Sequence, residues 1–167
     1  MLSNNRHIIY LLSLFLFIGC SKKAESPAGM LEKAKTEISE SKFTDATQLL
    51  RRLVEQYPES PEAAEAQYML GDTFISAAKD FEQAVNEYKL VVGNYPESRF
   101  AVNAQFMIGY VYANFLNEIE MARKEYTRFL DLYADKADSG LVQSVRFELQ
   151  NLGKDLNEIP KLRHITS

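Results

Sequence analysis

The chain predicts an all-α fold: a solenoid of about three helical hairpins, closed by a C-terminal capping helix. The first observation behind this is a repeat of 38 residues. Tyr57-Pro58-Glu59-Ser60 returns as Tyr95-Pro96-Glu97-Ser98, Phe43 and Ala46 return as Phe81 and Ala84, and Gln67, Met69 and Gly71 return as Gln105, Met107 and Gly109. Self-similarity at a period of about 20 to 50 residues marks a stack of one supersecondary unit. The second is the texture of each unit. From Met30 onward no stretch alternates apolar and polar residues with period two, and Pro and Gly are sparse inside the segments, which is a helical pattern. The third is length: 167 residues suit one domain and a leader. Solenoids present extended surfaces, so the repeat points to binding before chemistry.

In chain order, residues 1–19 read as an export leader. Arg6 and His7 lie in a short polar start, and the apolar run from Ile8 to Ile18 is too short to span a bilayer, which needs about 20 residues. Residues 20–29 are small, polar and broken by Pro27 and Gly29, the composition of a flexible tether. The repeat domain occupies 30–154. Its first hairpin pairs a helix from about Gly29 to Glu40 with one from about Phe43 to Gln56. In the second, Ser60 is placed to cap a helix that starts at Pro61, carries Glu62 at its positive end and runs to about Ala77. Asp80 caps the return helix with Gln83 as capping-box partner, and Pro96 stops it near Asn94. The third hairpin copies this with Ser98 and Asn117 as caps. A last helix, from about Ser139 to Lys154, covers the stack, and residues 155–167 form an irregular tail around Pro160.

Composition narrows the function. The chain has 19 basic and 23 acidic residues and a net charge of −4, without the basic stripe that nucleic acid requires. With a single cysteine, no internal disulfide can form, although export implies an oxidising compartment. Of two histidines, His7 belongs to the leader and His164 to the tail. No metal-ligand cluster, phosphate loop or nucleophile elbow is present in the sequence. Glu118, Glu120 and Glu125 read as the wet face of a helix. The expectation is therefore a protein that is not an enzyme, with no cofactor, no metal and no small-molecule substrate.

Two resemblances sharpen this. Phe17-Ile18-Gly19-Cys20 resembles the lipobox of bacterial lipoproteins, which implies that Cys20 receives a diacylglycerol and becomes the new N-terminus. Each acyl methylene buried in lipid contributes about 0.8 kcal/mol of anchoring. Ser21, where an inner-membrane lipoprotein carries Asp, implies sorting to the outer membrane.

Residues 30–154 resemble the tetratricopeptide repeat (TPR) family, a right-handed solenoid. The second unit carries its pattern in Leu70-Gly71, Phe74, Ala84, Tyr88, Val91 and Pro96. The third carries it in Ile108-Gly109, Tyr112, Ala122, Tyr126 and Phe129, with Ala134 where proline is expected. Small residues at Gly71 and Ala84 suit the crossing of paired helices, and Tyr88 and Tyr126 are expected to fill the gap to the next unit. In this family the first helix of each unit lines a concave groove. That implies a partner-binding surface of Leu31, Lys35 and Ile38, then Glu65, Tyr68, Asp72 and Ile75, then Asn103, Phe106, Tyr110 and Asn114. The register sets Tyr68 beside Phe106 and Asp72 beside Tyr110. Rings supply buried area there, and amides can bond a peptide backbone.

The order of lipidated cysteine, short tether and TPRs resembles the outer-membrane barrel-assembly lipoproteins typified by BamD. The size and repeat texture resemble the TPR domain of the Tol-Pal-associated cell-division coordinators. Either resemblance implies a scaffold in the envelope, anchored to the periplasmic face of the outer membrane, whose partner is a barrel-assembly subunit or a Tol-Pal component.

Overall fold

The computed structural model describes residues 25–154. The leader, Cys20 and the tail 155–167 lie outside the described residues. Seven α-helices follow in order: α1 (Pro27–Ser39), α2 (Phe43–Gln56), α3 (Ala63–Thr73), α4 (Phe81–Asn94), α5 (Arg99–Asn114), α6 (Ile119–Tyr133) and α7 (Ser139–Asn151), with a π-helical turn (Phe74–Ala78) extending α3. No strand occurs among the described residues. Each helix packs on its successor, and α3 also reaches α5, so the first helices of successive hairpins share a face. This is the all-α, TPR-like solenoid of three hairpins, with α7 packed on α6 as its cap.

The ends of α2 and α4 fall where the sequence places them. At the N-termini three capping devices hold: Ser98 Oγ accepts from Ala101 N at 3.2 Å, Asp80 Oδ1 from Gln83 N at 3.0 Å, and Asp138 Oδ1 from Leu141 N at 2.9 Å. The expected cap at Ser60 does not form. α3 starts at Ala63, whose N–H goes to the carbonyl of Ser60 at 3.1 Å, and the Ser60 hydroxyl is buried without a partner among the described residues. Gln83 is not a reciprocal box partner either, because its amide donates to Glu87 at 2.8 Å. The first helix begins at Pro27, inside the expected tether, with Ser26 as its cap accepting from Gly29 N at 3.1 Å.

Asn117 also departs from expectation. It precedes Glu118, the residue at the cap position of α6, and is left-handed with φ 54°. Ser41 (φ 61°) and Lys79 (φ 55°) occupy the equivalent place in the other hairpins. Asparagine is among the few side chains that tolerate this region, where its short amide can bond locally. Each hairpin is therefore turned by one left-handed residue, 38 positions apart.

The core falls into two clusters. One joins α1, α2 and α3 through Met30, Leu50, Leu53 and Leu70, and the other joins α4 to α7 through Tyr88, Tyr126, Phe129 and Val145. Ala46, Ala84 and Ala122 are fully buried, as small residues at helix crossings should be. The rings of Tyr88 and Tyr126 lie over Gly71 and Gly109 of their own hairpins, rather than serving only as fillers toward the next unit.

Candidate functional site

The groove positions sit on α1, α3 with its π-turn, and α5, and they divide by accessibility. Leu31 is 4% exposed and belongs to the first core cluster, so it has no surface to offer, and Ile38 packs half-buried against the same cluster. Lys35 is half-buried and bridges two carboxylates, Glu32 and Glu65, each at 2.9 Å. The hydrogen bonds that its ammonium donates, to Glu32 first and then to Glu65, raise its pKa above the ordinary lysine value. The Lys35–Glu65 pair ties α1 to α3 across the groove and neutralises its cation.

Further along, Tyr68 and Asp72 lie one turn apart on α3, hence on one face. Asp72 is exposed, yet its Oδ1 accepts from the buried hydroxyl of Tyr88 at 2.6 Å. Desolvation at that end raises the Asp72 pKa, opposed by the Tyr88 hydrogen bond. Burial, aided by the Asp72 charge, pushes the Tyr68 phenol up to about 12. Burial likewise raises Tyr88 well above the usual phenol range. Ile75 lies half-buried in the π-turn.

On α5, Asn103 is exposed, and Phe106 and Tyr110 are half-buried with ring centroids 6.0 Å apart. Asn114 is exposed, but its amide donates to the Tyr110 carbonyl at 3.0 Å and so serves its own helix end. Tyr68 and Phe106 do not meet. Tyr68 faces Tyr88 at 5.3 Å and Phe100 at 5.7 Å, while Phe106 faces Tyr110 and Tyr126. The 38-residue register aligns them along the stack, and it is Phe100 that packs near Tyr68. What remains open to a partner is a lane of Asp72 and Asn103, edged by the half-buried rings of Tyr68, Phe106 and Tyr110.

Two polar pairs escaped the sequence reading. Gln67 donates to buried Glu87, and Gln105 donates to buried Glu125 at 2.9 Å. Glu125 is therefore not part of a wet face, as Glu118 and Glu120 are; it is 3% exposed. The signal was present in the repeat. Gln67 returns as Gln105 and Glu87 as Glu125, 38 positions on, each glutamate preceding a core tyrosine.

A stack of hairpins with a partly aromatic lane on its first helices defines a TPR scaffold, a class that binds protein or peptide partners. The chain belongs to the YfiO family, described as outer membrane lipoprotein, whose profile matches residues 20–134. No curated protein matches the chain significantly. Among solved structures, it is similar to the first TPR of Spaghetti (RPAP3) bound to the HSP90 peptide SRMEEVD. That likeness has 18% identity and TM-score 0.55, covering 74% of this chain and 90% of that one. A tetratricopeptide repeat protein from Parabacteroides merdae matches at 16% identity and TM-score 0.57, covering 75% of this chain and 47% of that one. MamA of AMB-1 matches at 18% and 0.55, covering 84% and 72%. These likenesses show the fold.

Proposed function

We propose that this protein is a lipid-anchored adaptor on the periplasmic face of the outer membrane. It holds a partner polypeptide in its concave lane while outer-membrane β-barrel proteins are assembled, and it performs no chemistry of its own. The observation that carries this reading is the lane itself, an exposed carboxylate and amide beside half-buried rings, in a chain of an outer membrane lipoprotein family. Lipidation at Cys20 supplies the anchor. The size of the repeat domain favours a second reading, a Tol-Pal-associated scaffold for cell division.

The test is in-cell crosslinking of the full-length chain with a C-terminal tag, followed by mass spectrometry of what is captured. Recovery of the barrel-assembly β-barrel subunit supports the assembly role, and recovery of Tol or Pal components supports the division role. The pair Tyr68→Ala and Phe106→Ala is expected to weaken capture with helicity retained. Capture at full strength by that variant would show that the lane is the wrong surface.

A further inference from the structure

The repeat shows what a second, separate surface lacks. Where α4 begins beside the end of α5, Phe81 and Phe115 stack with ring centroids 4.5 Å apart and planes 13° from parallel. Beside them the Lys89 ammonium lies 5.4 Å from the centroid of Tyr112. One unit earlier the same positions hold Phe43, Ala77, Arg51 and Phe74. The cation is again over the ring, with Arg51 5.8 Å from the Phe74 centroid. But Ala77 stands where Phe115 stands, so Phe43 has no ring from this position upon it. A cleft of about 430 Å³ opens there, lined by Phe43, Thr47, Arg51, Thr73, Phe74 and Ala77 among others. One unit later the positions are Ile119 and Gly153, and a Cβ on Gly153 would touch Ile119 at 3.7 Å. The two positions thus face each other again in the third unit.

We infer that this cleft receives an aromatic side chain of a partner polypeptide, stacked on Phe43 in the place Phe115 takes on Phe81, with an acidic residue of the same segment set against Arg51. The space is sufficient, since an apolar cavity of about 150 Å³ already holds benzene. Most of the surface facing the cleft is apolar, Phe43, Phe74 and Ala77 in it are half-buried, and stacked rings gain beyond their buried area. Among the described residues that line it, Arg51 alone is charged. Its side chain is 49% exposed and 3.6 Å from Glu87, a loose pair that leaves donors free for a second carboxylate. Thr44 and Gln48, exposed on the same stretch of α2, can bond the backbone on either side of the inserted ring. The π-turn that ends α3 carries both Phe74 and Ala77. None of the concave-lane residues lines this cleft, so its occupancy is independent of the lane.

The test uses the full-length chain in detergent micelles and a fluorescein-labelled peptide, Gly-Ser-Glu-Phe-Glu-Ser-Gly, with a twin carrying Ala for Phe. Anisotropy titration is expected to show the Phe peptide binding about tenfold or more tightly than its twin, the effect of burying one benzyl group. Ala77→Phe closes the cleft from within and is expected to remove that difference without lowering the melting temperature, and Arg51→Gln to weaken the Phe peptide and flatten its salt dependence. Equal binding of the two peptides, or no binding of the Phe peptide, overturns the inference. So does a folded Ala77→Phe that binds as the parent does. Should that variant not fold, a peptide with p-benzoylphenylalanine at the Phe position is photocrosslinked to the parent chain. Adducts within 43–51 and 73–78 support the inference, and adducts elsewhere overturn it.

Discussion

The ring of Tyr126 lies against the backbone of Gly109 so closely that a Cβ on that glycine would fall 2.6 Å from Cδ1 and 2.7 Å from Cε1. Tyr88 sits on Gly71 in the same way, at 2.5 Å. Both rings are fully buried and have no room to retreat. Gly109→Ala is therefore expected to destabilise, although alanine is the better helix former by about 1 kcal/mol. Overpacking of this kind costs about 1–3 kcal/mol. A urea denaturation midpoint at or above the parent's would show that the ring yields freely.

The two tyrosines should answer differently to loss of the hydroxyl. Tyr88 donates to Asp72, whereas the Tyr126 hydroxyl is buried without a partner among the described residues, because Tyr110 stands where Asp72 stands in the unit before. Tyr88→Phe should lower stability by about 1 kcal/mol, the net worth of one hydrogen bond. Tyr126→Phe should leave stability unchanged or raise it, since it removes an unmet polar group. Thermal melts of the two variants side by side decide this, and equal losses would contradict it.

Glu148 on α7 links stability to pH. Burial raises its pKa above the ordinary 4.5. The folded state then holds this proton more tightly than the unfolded state. The stability it lends is complete below the ordinary carboxyl pKa and is lost as pH rises through the raised value. Glu148→Gln is accordingly expected to melt higher than the parent at neutral pH, with the gap closing at about pH 4. A gap that persists in acid would assign the effect to packing instead of ionisation.

Glu87 accepts from Gln67 and from Gln83, and it lies within ion-pair distance of Arg51. Glu87→Leu alone strands the buried Gln67 amide and should cost about 1–3 kcal/mol. Replacing both partners, as Gln67→Leu with Glu87→Leu, should cost less than the two singles added together. In the first hairpin the two positions are Leu49, 3% exposed, and Gly29, so leucine already fills the place of Glu87 where no glutamine faces it. Additive losses in a double-mutant cycle would deny the coupling.

Much of the fold was legible because its punctuation is chemical. Pro96 and Ser98 fix one junction, and Asp80 announces its helix by a side-chain cap that forms as read, while the cap Asp138 gives the last helix was not anticipated. Ser60 misled, although it sits in the same Tyr-Pro-Glu-Ser sequence as Ser98. Proline after the serine is not the obstacle, since Ser26 caps α1 with Pro27 next to it. No feature of the structure explains why Ser60 turns inward. The lane was legible only as positions along a repeat. Which of them keep an open surface depends on tertiary neighbours: Leu31 sinks into the core, and Phe100 packs against Tyr68 where Phe106 was expected. Burial of Glu125 was hidden for the same reason, because a carboxylate bonded to a glutamine 20 residues away looks like any surface charge in one dimension.

The division of the core into two clusters has a dynamic consequence. α3 gives Leu70 to one cluster and packs half-buried Tyr68 against the other, so the described residues form two core blocks that share a helix and are expected to open separately. In a quasi-one-dimensional array each block opens with its own free energy, and amide protons of α1 and α2 should exchange on a different schedule from those of α6. A polypeptide lying from α1 to α5 would bridge both blocks and draw those schedules together. The exchange rates of the first hairpin would then serve as a gauge of whether the protein is carrying its cargo.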